Sequence, residues 1–328
     1  MHGRQLKEYR ENQGLTQHQL ASMINGRLGI KLDQGRVSKL EKSLVLPSAI
    51  ASLVQSDSQQ AATAASPKGT VITVANQKGG VAKTTVVVAL AYELAARCRV
   101  CVVDLDPSLN ASTVLRQDDP ALEAQGCTMA SLIETKISKV GDGLDGFVCT
   151  TDYGDREVFL IPGSKRTAQL SHTDPNFTRR VEKVLDHLAD RFDVVLVDTP
   201  PVLGPVLYGA IYGSDRVLIP FQAAELAAIG LADLLETIFD AVDVIKDDFA
   251  ILGFVPTMVE KRAAVHAEVL AEVIEKFADI APVFAPIYRR IAFDQAKREK
   301  LPIGLHAPGI DANAVILDIA DQIIVLTA

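Results

Sequence analysis

Lys78-Gly79-Gly80-Val81-Ala82-Lys83-Thr84-Thr85 is the stretch on which the reading of this chain turns. An apolar run, Val71 to Ala75, precedes it, and a helix-like run, Val86 to Ala96, follows. A strand, a glycine-rich turn and a Lys-Thr pair opening a helix form the layout of a phosphate-binding loop. Gly79 and Gly80 let the backbone come close to a polyphosphate and aim successive N–H groups at it. Lys83 sets a cation against the β- and γ-phosphate oxygens, the Thr84 hydroxyl can hold Mg2+, and Thr85 can donate to the α-phosphate. The strict G-x-x-x-x-G-K-[ST] pattern fails, because Gln77 and Ala82 stand at its two glycine positions. A second lysine, Lys78, stands at the front of the loop. A Gly-Gly turn of purely structural purpose does not account for Lys-Thr-Thr at the helix start.

From Thr70 onward, apolar β-branched runs alternate with helical stretches. Strands are expected over Val71–Ala75, Val100–Asp104, Val158–Ile161, Val194–Val197, Arg216–Ile219 and Ile251–Val255. Their continuous apolarity suits strands covered on both faces. The expected fold is therefore α/β, a doubly wound and mostly parallel sheet, whose ligands sit at the carboxyl ends of strands. The charged motifs fall there. In Asp104-Leu105-Asp106-Pro107, two carboxylates at i and i+2 leave the strand toward one side. One can anchor Mg2+ through its water, and the other can orient an attacking water. Asp198, after Val195-Leu196-Val197, is the expected second Mg2+ anchor. A lone strand-terminal aspartate would read as a turn cap; three beside a phosphate loop do not.

Together these motifs resemble the ParA family of P-loop ATPases, relatives of MinD and of nitrogenase iron protein. The loop is similar to that family's deviant Walker A motif, Asp104-Leu105-Asp106-Pro107 to its second motif, and Val197-Asp198-Thr199-Pro200-Pro201 to its Walker B. Similarity continues through Ile161-Pro162-Gly163-Ser164, Asp215 to Pro220, Pro256-Thr257-Met258, Arg289 to Phe293 and Pro302-Ile303, and spans nearly all of residues 70–326. The resemblance implies ATP and Mg2+ as cofactors. It implies that Lys78 reaches the ATP of a second subunit and that Asp106 positions water. Gly79 to Thr85 would hold the phosphates, Thr84, Asp104 and Asp198 the Mg2+ and its waters, and Met258 and Tyr288 would border the adenine. It further implies an ATP-bound homodimer that binds DNA nonspecifically, a ParB-type partner that stimulates hydrolysis, and a role in moving plasmids or chromosomes. Lys261, Arg262, Arg289 and Arg290 lie where members contact DNA.

The first 50 residues differ from the rest. They carry eight Lys/Arg against four Asp/Glu, a net +4, while the whole chain is −8, so the remainder carries −12. A basic head on an acidic body suits contact with nucleic acid. Residues 4–12 read as one helix, and Gln17 to Ile24 as a second, capped by Thr16 with Gln19 as capping-box partner and stopped by Asn25-Gly26. A third is expected from an Asp33 cap through Lys42, with Gln34, Arg36 and Lys39 outward and suited to base edges or phosphates. Gly14 to Ala21 and Val37 to Glu41 resemble the helix-turn-helix of Xre/Cro-type repressors. The expected organisation is a small all-α helix-turn-helix domain at 1–50, a linker at 51–69 rich in Ser, Gln and Ala, and the ATPase at 70–328.

No apolar run reaches membrane-spanning length, no signal-peptide pattern opens the chain, and Cys98 and Cys101 form a C-x-x-C without a second Cys/His pair at zinc-finger spacing. A cytoplasmic, nucleoid-associated protein is expected. The end, Asp311 to Ala328, lacks Lys and Arg, which argues against a MinD-like basic membrane helix. The expected function is a DNA partition ATPase whose head represses its own operon. The alternative is an ATP-switched repressor without a segregation role.

Overall fold

The structure is a computed structural model that describes residues 3–43, 46–47, 49–51, 53–54, 68–115, 120–135, 144–242 and 249–327. Most of the expected 51–69 linker lies outside them. The chain divides into two compact units, Met1–Pro67 and Lys68–Ala328.

In the first unit, α1 (Gly3–Asn12), α2 (Gln17–Leu28) and α3 (Gln34–Leu40) enclose Leu6, Leu20, Ile24 and Val37. Thr16 and Gln19 form a reciprocal capping box: Gln19 N–H donates to Thr16 Oγ1 at 3.2 Å and Thr16 N–H to Gln19 Oε1 at 2.8 Å. Such a cap contributes about 1 kcal/mol. Contrary to the sequence reading, α2 runs through Asn25-Gly26 to Leu28 and is capped by Gly29, which takes φ 64°. The Asn25 side chain explains the difference, because it accepts from Leu32 N–H at 2.6 Å and donates to Leu32 O at 2.8 Å. Asn25 thus ties the following turn from within the helix rather than ending it. Asp33 caps α3 by accepting from Arg36 N–H at 2.8 Å, and α3 is shorter than expected, ending at Leu40. Glu41 joins the helices through Arg10 Nε at 2.5 Å and Gln17 Nε2 at 2.7 Å.

The second unit is built on seven strands: β1 (Thr70–Val74), β2 (Val100–Asp104), β3 (Cys149–Asp152), β4 (Glu157–Ile161), β5 (Val194–Asp198), β6 (Arg216–Gln222) and β7 (Ala250–Thr257). Their order is β3-β4-β2-β5-β1-β6-β7, with every pairing parallel except β3 against β4. Six strands fall where apolar runs predict them. The sequence reading missed β3, a short edge strand whose Cys-Thr-Thr-Asp has no apolar run.

Alternate residues of the central strands feed opposite cores, as period-2 geometry requires. Ile72, Val102 and Leu196 pack with helices Lys83–Leu94 and Asp311–Thr327 on one face. Val71, Val103 and Val195 share the other core with helix Phe177–Ala189. That helix lies against helix Pro205–Gly213 at close range. A Cβ on Gly209 would meet Val181 Cβ at 2.9 Å, and one on Gly213 would meet Leu185 Cδ1 at 2.6 Å. Beyond β7, residues 282–289 run alongside as an irregular strip. Phe284 N–H donates to Phe254 O, Ile287 N–H to Pro256 O and Arg289 N–H to Val259 O.

Candidate active site

β1, β5 and β2 are neighbours at the sheet centre, so their carboxyl ends open together. Val74 and Asp104 are both register partners of Asp198. Residues 75–82 form the turn from β1 into helix Lys83–Leu94. Ala82 adopts φ 67°, a left-handed conformation, at a position where the strict pattern has glycine. This explains the glycine preference there and costs an alanine about 1 kcal/mol. Gly80 takes φ 75°. The turn is fixed from outside by Asn76, whose Oδ1 accepts from Lys78 N–H at 2.8 Å and whose Nδ2 donates to Pro220 O at 2.8 Å. Thr257 Oγ1 bonds Val81 O and Phe221 O, both at 3.1 Å.

The two loop lysines differ. Lys83 is buried, and its Nζ lies 3.4 Å from Lys78 O. Burial pushes its ammonium below the ordinary lysine value, with Asp198 and Asp106 acting in the opposite sense. Lys78 is exposed. Thr84 Oγ1 donates to Asp198 Oδ2 at 2.7 Å. Asp198 Oδ1 is buried without a hydrogen-bond partner. Burial, then neighbouring Asp104, hold the Asp198 carboxyl well above the usual carboxylate range. Asp104 is equally buried, and burial raises it to about 6 against the hydrogen bonds from Ser112.

A cleft of about 570 Å³ opens above these groups. Gly80 to Thr85, Asp106, Met258, Tyr288, Arg289 and Arg290 all line it. Met258 takes φ 54°. Lys261 Nζ stands 4.4 Å from the centre of the Tyr288 ring, and Asp311 pairs with both Lys261 at 3.4 Å and Arg290 at 2.5 Å. Arg289 Nη1 lies 3.8 Å from Glu260. Lys261, Arg262, Arg289 and Arg290 are exposed, as are Gln34, Arg36 and Lys39 on α3 of the other unit. Arg36 Nη1 there donates to Lys31 O at 3.0 Å. The cleft is also lined by Ser108 and Asn110, which sequence reading passed over, as it did Asn76 and Ser112. Only the folded loop after Pro107 places Ser108 and Asn110 along the cleft wall.

An orphaned buried carboxylate oxygen beside a threonine hydroxyl, under a lysine-walled cleft, fits a divalent cation carried with a polyphosphate. The family described as an AAA domain matches residues 69–251. The sporulation initiation inhibitor protein Soj of Bacillus subtilis (strain 168) is 30% identical over 263 residues, covering 78% of this chain and 98% of Soj. The chain belongs to the ParA/Soj family of P-loop ATPases. A second relative of this ATPase, the chromosome-partitioning ATPase Soj of Treponema pallidum (strain Nichols), is 30% identical over 72% of this chain and 89% of its own length. Among solved structures, cobyrinic acid a,c-diamide synthase from Mycobacterium smegmatis with bound ATP analog and magnesium matches the ParA/Soj-type sheet. It is 27% identical with a TM-score of 0.62, covering 77% of this chain and 93% of that one. Among the described residues, no helix is long and apolar enough to cross a membrane.

Proposed function

We propose that this ParA/Soj-family protein is a DNA partition ATPase in which ATP acts as a dimerisation switch. The observation that carries this reading is the contrast between the loop lysines. Lys83 is buried over the carboxylates, where one subunit's triphosphate lies, while Lys78 is exposed at the front of the same loop. A cation in that position suits the phosphates of a second subunit. Gly79 to Thr85 cradle the phosphates, Met258 and Tyr288 border the base, and Asp106 orients the attacking water. Thr84 and Asp198 hold Mg2+ or its waters, and the ion neutralises charge on the polyphosphate. Asp104 stands beside them. The ATP-bound dimer binds DNA nonspecifically through Lys261, Arg262, Arg289 and Arg290. A ParB-type partner stimulates hydrolysis, and the dimer then separates. Gln34, Arg36 and Lys39 of a helix-turn-helix in residues 1–50 bind the operator, which makes the protein its own repressor and associates it with the nucleoid in the cytoplasm. The chromosome-partitioning relative supports the segregation role over that of a repressor alone.

The test is sedimentation of the full chain with ATP and Mg2+. The parent should dimerise and Lys78→Ala should remain a monomer that still binds ATP; an unchanged ATP-dependent dimer would refute the cross-subunit role. Turnover measured with DNA and a candidate partner then separates a stimulated motor from a simple repressor.

A further inference from the structure

The two buried carboxylates at the strand ends are not equivalent. Asp198 keeps Oδ1 without a partner. Both oxygens of Asp104 accept from its own chain: Oδ1 from Asp106 N–H at 3.1 Å, and Oδ2 from Ser112 N–H at 2.9 Å and Ser112 Oγ–H at 2.6 Å. The Ser112 oxygen in turn accepts from Gly163 N–H at 2.9 Å. Ser112 is 1% exposed and Asp104 0%. Gly163 follows β4, and a Cβ there would fall 2.9 Å from Asp104 Cγ and 2.8 Å from Leu109 Cδ2, so the approach is close. Inside the loop, Ser108 N–H donates to Asp106 Oδ1 at 2.8 Å, Leu109 N–H donates to Asp106 O, and Leu109 takes φ 58°.

We propose that Ser112 is a positioning residue that, with Asp104 and the Gly163 backbone, clamps the loop from β2 to helix Asn110–Val114 and so holds Asp106 at the cleft. The clamp acts through Asp106 and rests on the role proposed for that residue. It reassigns Asp104: with both oxygens taken by local donors, it serves the loop, and Asp198 with its free oxygen is the carboxylate that serves the metal. A strand-end aspartate held by three donors of its own loop behaves as a peg, and the hydroxyl at 112 is the one side-chain group among those three.

Phosphate release and binding of a fluorescent ATP analogue, measured on the full chain, test this. Ser112→Ala should lower kcat about 10- to 100-fold, the range for a misplaced catalytic group, while analogue affinity stays at the parent's. Ser112→Thr, which keeps the hydroxyl, should recover turnover. Asp104→Asn should resemble Ser112→Ala without raising the Mg2+ needed for half-maximal analogue binding, whereas Asp198→Asn should raise it. Parent-like turnover in Ser112→Ala, or an Mg2+ requirement raised equally by Asp104→Asn and Asp198→Asn, would overturn the clamp. Asp106→Ala separates the two readings. If it retains turnover, the role of Asp106 itself fails; if it is inactive while Ser112→Ala is normal, only the clamp fails.

Discussion

Asp104 and Asp198 lie side by side on β2 and β5, both out of water. Burial first, and their mutual repulsion next for Asp198, raise both carboxyls, Asp104 to about 6. In the unfolded chain such groups ionise near 4. The folded state therefore binds more protons in this window: the contribution of Asp104 to stability is present below about pH 4 and lost as pH rises through about 6, and Asp198 acts in the same sense. Most carboxylates act in the reverse sense. Asp198→Asn should raise the melting temperature of nucleotide-free protein at pH 8 by about 2–4 °C and flatten that part of the pH profile, while turnover falls. A variant less stable than the parent at pH 8 would refute the charge argument. Lys83 carries a similar trade. Its buried ammonium is disfavoured in the empty protein and offset once phosphate oxygens surround it. Lys83→Ala should abolish tight ATP binding in titration calorimetry without lowering stability.

At the scale of elements, helix Pro205–Gly213 is held where it is by two glycines on its inner face. Gly209→Ala drives a methyl group to within 2.9 Å of Val181. Overpacking of this kind costs about 1–3 kcal/mol, which a shifted urea midpoint would register. A midpoint equal to the parent's would mean that the two helices separate freely. The element scale also marks how far the sequence could be read. Six strands were legible because both faces are covered, which leaves continuous runs such as Val100–Asp104 and Val194–Val197. β3 was not, because an antiparallel edge strand needs no such run. The end of α2 was misread because Asn25-Gly26 looks like a stop, when Asn25 bonds Leu32 from inside the helix. The phosphate loop and its three aspartates were legible as motifs. What each aspartate touches was not, because the partners of Asp104 come from residues 106 and 112 and are found only in the folded loop.

For the whole molecule, the division at Pro67 has a direct consequence. Each unit has its own core, Leu6, Leu20, Ile24 and Val37 in one and the strand residues in the other. Removing residues 1–67 should leave ATP affinity and turnover intact and abolish operator binding in a gel-shift assay. Loss of nucleotide binding in the truncated protein would count against independent units. The residues beyond 50 carry −12, so DNA bound as proposed would meet a repulsive body except at local basic clusters. Nonspecific binding should therefore weaken steeply with salt, with a log–log slope that becomes shallower by about one for each phosphate-contacting residue removed.

Residues 282–289 bring Tyr288 and Arg289 to the cleft, and their backbone also occupies the open side of β7. An uncovered strand edge is a template for pairing with another chain. One strip thus serves as cleft wall and as the cover on a growing edge. A base resting against Tyr288 would press that cover down. With the base contact proposed above, nucleotide should act as a solubility factor: on warming, light scattering from the empty protein should rise earlier than from the ATP-loaded one.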